Sequence, residues 1–182
     1  MSVPRTPDPA KLVIGIFLKE KSLLKAAAAE LTDRFGPIDM VSPWFPFDYT
    51  DYYEPEMGMP LFRRMFSFTP LIHQEALAEI KHTTNDLEKK YTVGIRRQLN
   101  IDPGYLLHSQ FVLATGKNYS HRIYIGKNIY ADLTLIYLKG GFKPLPWTYP
   151  DYADKRMLAY LQQVRNRYVD DVKRSTRGHN DS

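Results

Sequence analysis

Residues 12–18 read Leu-Val-Ile-Gly-Ile-Phe-Leu, seven positions without a polar interruption. A membrane-spanning helix needs ~20 such residues. The run is rich in β-branched and aromatic side chains, so it reads as a strand buried inside a sheet. The rest of the chain has to supply what covers it. A chain of 182 residues fits one domain by the usual size prior and buries roughly 70% of its unfolded surface. The expected organisation is a single domain over 1–182, with a Pro-rich, loose lead-in at 1–10 and a frayed polar tail at 175–182. There is no cysteine. That excludes thiolate zinc sites, iron–sulfur clusters, cysteine nucleophiles and disulfides. Lys19-Glu20-Lys21 and Lys25 interrupt the apolar stretch that a signal peptide would need, and prolines 4, 7 and 9 precede it. The chain is read as cytoplasmic, with no membrane association.

Around that strand the periodicities alternate. Ser22 is placed to cap a helix carrying Leu23/Leu24, Ala27/Ala28, Leu31 and Phe35, which Gly36-Pro37 ends. An extended segment follows at 38–46, then a loop at 47–60 and a strand at 61–68. Residues 73–91 place Leu77, Ile80, Thr84, Leu87 and Tyr91 on one face of an amphipathic helix. A strand at 96–101 is expected to stop at Asp102-Pro103-Gly104, a turn tripeptide in which Gly104 takes a left-handed conformation. Strands at 111–115, 121–125 and 129–138, a turn-rich stretch at 139–153 and a helix at 154–173 complete the order. This predicts an α+β fold, a ferredoxin-like split βαβ core (β-α-β-β-α-β) extended by a C-terminal β-hairpin and a terminal helix. The alternative is a mixed sheet of another topology.

The hairpin register follows from its side-chain pattern. With a three-residue loop, Gly126–Asn128, Ile125 faces Ile129, Arg122 faces Asp132 and Tyr124 faces Tyr130. One face is then His121, Ile123, Ile125, Ile129, Ala131, Leu133 and Leu135, nearly all apolar. Shifting the pairing by one residue mixes polar and apolar on both faces, which a half-buried sheet does not tolerate. Two readings of the polar face stay open: an ion pair with an aromatic pair, or a Tyr/Arg wall presented to an anionic or aromatic ligand. His121 reads as a hydrogen-bonded core residue.

Residues 44–58 are the densest segment, with six aromatics within 44–53 and four carboxylates within 48–56. So many aromatics should be packed down, with Trp44, Phe45 and Phe47 buried. Asp48 and Asp51, joined by Asp102, form a candidate set for Mg²⁺ or Ca²⁺. The competing reading pairs these carboxylates with Arg63, Arg64, Arg96 or Arg97.

The strings FDYTDYYEPEMG (47–58), NIDPGYL (100–106), NYSHRIYIGKNIYADLTLIY (118–137) and WTYPDY (147–152) resemble a prokaryotic family catalogued as domain of unknown function 4416. The resemblance spans nearly the whole chain. It implies a single-domain protein and brings no catalytic residues to carry over. Some similar proteins are labelled GTP-binding, and the residues do not support that label. A P-loop needs Gly, four residues, then Gly-Lys-Ser/Thr, whereas Gly116-Lys117 and Gly126-Lys127 are both followed by Asn, with Phe111 and His121 five positions before the glycines. There is no HExxH or HxH spacing and no G-x-S-x-G elbow. A single HxT, at His82, lies mid-helix without the second copy that two-histidine phosphoesterases need.

Charge points more usefully. The formal net charge is +5, and residues 115–145 hold five Lys/Arg against one acid, interleaved with Tyr119, Tyr124, Tyr130 and Tyr137. Basic groups beside stacking aromatics suit a phosphate-bearing ligand or single-stranded nucleic acid. The expectation is a cleft between the 47–60 loop and the hairpin that takes an anionic, phosphorylated or nucleotide-like ligand through Arg96, Arg97, Arg122, Tyr124, Tyr130 and Asp132. The alternatives are a divalent-metal-dependent phosphoester hydrolase using Asp48, Asp51 and Asp102, and a single-stranded nucleic-acid-binding module.

Overall fold

The computed structural model describes residues 1–178. Along the chain run β1 (Ala10–Leu18), α1 (Leu24–Phe35), β2 (Ile38–Val41), β3 (Phe45–Pro46), α2 (Glu54–Met57), β4 (Phe62–Ile72), α3 (Leu77–Lys90), β5 (Thr92–Val93), β6 (Arg96–Arg97), β7 (Leu99–Leu106), β8 (Gln110–Thr115), β9 (Arg122–Tyr124), β10 (Tyr130–Leu138), β11 (Gly141–Pro144), α4 (Pro150–Ala153) and α5 (Lys155–Gly178). This is a mixed α+β fold. Its main sheet has nine strands, ordered β11-β10-β8-β7-β1-β4-β2, with β3 added to β4 and β9 to β10, and β5 and β6 pair separately. Every pairing is antiparallel. None of the described helices is long and apolar enough to cross a membrane.

The uninterrupted apolar run is the reason β1 sits mid-sheet. Its even-numbered residues Leu12, Ile14, Ile16 and Leu18 pack under α1 and α3, against Ala27, Leu31, Ile80 and Leu87. On the opposite face Val13 belongs to the core that α5 covers with Met157, Tyr160, Leu161, Val164 and Tyr168. One polar side chain is buried in the strand. Lys11 is fully enclosed, and its Nζ meets Asp39 from β2 and, at 2.7 Å, Asp171 from α5. A buried ammonium tolerates that position only because carboxylates surround it.

Several local expectations are corrected. Ser22 is not a cap: it lies inside a 3-10 turn, Lys21–Leu23, and α1 starts from Leu23 without a side-chain cap. The loop at 47–60 contains α2, and the turn-rich 139–153 contains β11 and α4. Residues 1–9 carry no regular structure, but Ala10 already belongs to β1 and is buried. At the other end α5 continues through residues 175–178, where a frayed tail is expected; the remainder of that tail lies outside the described residues.

The largest correction concerns Asp102-Pro103-Gly104, which is strand and not turn. β7 runs straight through it, pairing Pro103 with Ile14 and Gly104 with Val13 of β1. Gly104 is needed for close approach: a Cβ there would lie 2.4 Å from the Val112 carbonyl oxygen. Pro103 acts on the other edge. Ile101 N–H points away from β1 to Glu88, and Leu107 N–H points the same way to Gln110. By strand alternation the donor that Pro103 lacks would face β8. The β7–β8 ladder holds Leu106↔Phe111, Tyr105↔Val112 and Gly104↔Leu113 and ends there. Beyond it the two strands part, and the sheet forks.

The hairpin has the expected register, Arg122↔Asp132 and Tyr124↔Tyr130, with Ile125 N–H bonded to the Ile129 carbonyl at 3.0 Å. Its loop turns through three positive-φ residues, Gly126, Lys127 and Asn128. The expected faces do not hold, however. Ile123 is 71% exposed, whereas Asp132 and Thr134 are buried. β9 is a three-residue edge strand, and β10 shifts register against β8 between Leu133 and Leu135. The alternation read from sequence therefore does not continue into the layer beneath.

Candidate functional site

A cleft of about 680 Å³ opens where the sheet forks. Its floor is the parted strands, Asn100 and Asp102 on β7 and Leu113 to Lys117 at the end of β8. The 47–60 loop forms one wall, α3 another, and the hairpin with the segment around Tyr149–Tyr152 a third. The loop is held as its composition predicts. Phe47 stacks on Phe17 at 4.5 Å, Tyr53 meets Phe17 edge-on at 4.6 Å, and Phe45 and Phe47 are buried. Trp44 is half-buried against Phe62 and under Arg64.

Arg63 is the most enclosed cation of the cleft. It is 3% exposed, and its guanidinium lies over the rings of Phe47, Tyr152 and Phe17 at 4.7, 4.8 and 5.1 Å. It donates to Asp151 and, at 3.2 Å, to Asp102. Its Nε and the hydroxyl of buried Tyr152 have no hydrogen-bond partner among the described residues. Burial pushes the Tyr152 hydroxyl up to about 12, Arg63 opposing and Asp102 adding to the rise. Burial, then Asp102, likewise raises Tyr53.

The edge of β7 that β8 abandons is completed by α3. Lys81 donates to the Ile101 carbonyl at 2.9 Å, and Glu88 accepts from Ile101 N–H at 2.7 Å. The two side chains together stand in for a missing strand. Arg97 locks the arrangement, donating to Glu88 at 2.8 Å, to Asn100 at 2.7 Å and bidentately to Glu56 at 2.8 and 3.0 Å. Burial raises the Glu88 carboxyl above its ordinary range, with Lys81, the Ile101 N–H and Arg97 pulling it back. Burial works against the charge of Arg97, but its hydrogen bonds to Glu56 and Glu88 outweigh that and raise its pKa.

The third wall is differently balanced. Arg122 donates from Nε to Asp132 at 2.9 Å, but its terminal nitrogens meet neutral groups, the Tyr149 hydroxyl and the Lys117 carbonyl, each at 3.0 Å. Burial disfavours its charge and Asp132 restores it, leaving the pKa raised. Lys117 Nζ meets the Tyr52 hydroxyl at 2.7 Å and lies 4.3 Å from that ring's centre. No carboxylate accompanies Lys117 among the described residues. His121 stacks on Trp147 at 5.0 Å, with Nε2 3.3 Å from Asp132, so it supports the wall from behind.

Of the residues nominated from sequence, Arg97, Arg122, Asp102 and Asp132 come together in the cleft. Arg96 is exposed on β6, and Tyr124 and Tyr130 pair edge-on at 5.4 Å outside the lining. Asp48 and Asp51 are exposed and also outside it, and Asp102 is taken up by Arg63 and Asn100. Among the described residues, no three His, Asp or Glu side chains are grouped to hold a metal ion. Sequence reasoning missed Lys81, Asn85, Glu88 and Lys117 as lining residues, and also Tyr149, Asp151 and Tyr152. Part of the signal was present: Asn100 to Gly104 and Trp147 to Tyr152 lie in two of the long strings that carry the family resemblance.

Fold and site together define an α+β protein whose antiparallel sheet forks to hold an Arg-, Tyr- and Asp-lined cleft. Residues 8–168 match the family described as domain of unknown function (DUF4416), and the chain belongs to that family. Neither among curated proteins nor among solved structures does anything match the chain.

Proposed function

We propose that the protein binds a small anionic ligand, phosphorylated and nucleotide-like in build, in the forked-sheet cleft. One observation carries the reading. Arg63, Lys81 and Arg97 are each matched by carboxylates, whereas Lys117 and the terminal nitrogens of Arg122 meet only neutral oxygens or a ring. Arg122 keeps one carboxylate, Asp132, so the unmatched positive charge of the cleft is that of Lys117, to whose backbone the Arg122 guanidinium donates. A phosphate there would gain charge-assisted hydrogen bonds that the protein does not itself supply. The tyrosines at the same end, Tyr52 and Tyr149, offer ring faces to a planar group.

Calorimetry and thermal melts with ribose 5-phosphate and with nucleoside monophosphates test this. Binding should stabilise the fold by about 2.7 kcal/mol at a hundredfold excess over Kd, and Lys117→Ala with Arg122→Ala should remove most of it. Absence of binding, or binding indifferent to both substitutions, overturns the proposal. The metal-dependent alternative has no comparable support, since its three aspartates do not share the cleft.

We also propose that β1, α1, β2, β4, α3 and β7 form a ferredoxin-like split βαβ core. The order β7-β1-β4-β2, its antiparallel neighbours, and the packing of both helices on one face support it.

A further inference from the structure

The floor of the cleft and its mouth carry opposite charge. On the floor Arg63 is one cation shared by two carboxylates, Asp102 and Asp151. Its cationic neighbours Lys81 and Arg97 bring no relief, being matched by Glu88 and Glu56. Asn100, which also donates to Asp102, is neutral. One negative charge is therefore left over. It opens to the cleft at Asp102, whose side chain is 26% exposed against 8% for Asp151. At the mouth the unmatched charge is the positive Lys117. Carboxylates withdrawn from water are costly unless cations match them, so the floor favours a cation where the mouth favours an anion.

The acceptors around Asp102 are unused as well. Each of its oxygens takes one donor, Oδ1 from Asn100 at 2.8 Å and Oδ2 from Arg63 at 3.2 Å, whereas a carboxylate has room for about four. Gly15 of β1 lies opposite Asp102 in register and, having no side chain, leaves space above the strand. The Tyr152 hydroxyl stands there, 3.4 Å from where a Cβ on Gly15 would be. Tyr152 is 2% exposed, and its hydroxyl has no hydrogen-bond partner among the described residues. Nor do the Tyr53 hydroxyl and the Asn85 carboxamide, both half-buried and both lining the cleft. Burial and then the charge of Asp102 raise the pKa of Tyr53, which sets its hydroxyl near that carboxylate. Asn85 lies one helical turn from both Lys81 and Glu88, the pair that holds Ile101 next to Asp102. An ammonium has three donors and no acceptor. That is the complement of a carboxylate flanked by unused hydroxyl and carboxamide oxygens.

We infer that the cleft takes a phosphorylated amine, its phosphate at Lys117 and Arg122 and its ammonium at Asp102, between Tyr53 and Asn85. The inference rests on the anion-binding reading above and adds the chemistry of the ligand's other end. A neutral hydroxyl at Asp102 would satisfy a lone pair but leave the charge of the floor uncompensated; an ammonium does both.

The test is calorimetry on the full chain at pH 7 with two matched pairs of probes: glucosamine 6-phosphate against glucose 6-phosphate, and 6-aminohexyl phosphate against hexyl phosphate. In at least one pair the amine should bind about tenfold or more tightly, as one charge-assisted hydrogen bond provides. Asp102→Asn keeps the shape of the side chain, leaves Asp151 on Arg63 and removes the excess charge. It should erase most of the preference, and the amine-free probe, which has no charge for Asp102 to meet, should bind no more weakly than before. Tyr53→Phe keeps the ring against Phe17 and should lower the preference about threefold; it carries the test if Asp102→Asn does not fold. Equal affinities within both pairs, or a preference that survives both substitutions, overturn this inference and leave the anion site standing. So does failure of all four probes where ribose 5-phosphate or a nucleotide binds. If no phosphate of either set binds, the anion site falls and the ammonium site falls with it.

Discussion

Replacing Gly104 by Ala tests whether the β7–β8 junction is built as described. The added Cβ would lie 2.4 Å from the Val112 carbonyl oxygen, 3.0 Å from Leu113 Cδ2 and 3.3 Å from Leu113 Cα. The leucine methyl can turn aside, but the carbonyl and the Cα belong to the backbone of β8. Relief requires the strands to move apart by about 1 Å at the last rung before the fork, where only three residue pairs hold them. Overpacking of this kind costs about 1–3 kcal/mol, and each ladder hydrogen bond weakened on the way adds up to about 1 kcal/mol. A total of about 3 kcal/mol follows. For a protein of this size each kcal/mol moves Tm by about 2–4 °C, so the melt should fall by about 6–12 °C. Gly141→Ala is the control: no atom lies within 4 Å of its Cβ position and its φ is not in the left-handed region, so its Tm should hold within about 2 °C. A Gly104→Ala protein melting within 1 °C of the parent refutes the close approach, and with it the strand register that places the fork.

Three further outcomes are expected. Arg63→Met strands Asp151 and Asp102 beside apolar rings and should cost about 3–5 kcal/mol in urea denaturation; a loss below about 1 kcal/mol contradicts the pairing. Lys11→Met leaves Asp39 and Asp171 with only the partly exposed Arg167 beside them, at 3.7 and 3.3 Å, and should cost up to about 3 kcal/mol, and adding Asp39→Asn should recover part of it; no recovery speaks against the carboxylate cage. Hydrogen bonding from Arg156 holds the Asp154 carboxyl at about 2, below the ordinary 3.8. Its contribution is therefore complete above about pH 4 and lost as the pH falls towards 2. The site is largely solvated, so the amplitude is a few tenths of a kcal/mol; an NMR titration of Asp154 with a midpoint near 3.8 excludes the interaction.

What the sequence made legible is what depends on side chains alone. The run from Leu12 to Leu18 demanded burial on both faces and received it from α1 and α3 on one side and α5 on the other. The hairpin register followed because one pairing alone kept polar and apolar residues apart, and Arg122 and Asp132 were placed with it. Tertiary pairing was not legible in the same way. Asp-Pro-Gly has the composition of a turn, and nothing local says that β1 on one edge will hold those residues extended. Nor does anything local reveal that the donor missing from Pro103 faces β8, because which edge it faces depends on the register of a strand not yet placed.

The hidden half of the site has the same origin. On α3, Lys81, Asn85 and Glu88 look like the solvated side of an amphipathic helix, since they flank the stripe of Ile80, Thr84 and Leu87. That reading would hold if the sheet beneath were continuous. Because the ladder stops at Gly104, the polar flank lies over an open strand edge, where a lysine and a glutamate become the hydrogen-bond partners of Ile101. One proline thus does two things: it removes a rung from the sheet, and it turns an ordinary polar helix face into a wall of the cleft. The charge balance follows from this. The carboxylates needed to complete the β7 edge neutralise the cations on that side, so the uncompensated charge falls to Lys117 across the gap, beside the terminal nitrogens of Arg122, where an anion from solution can meet it.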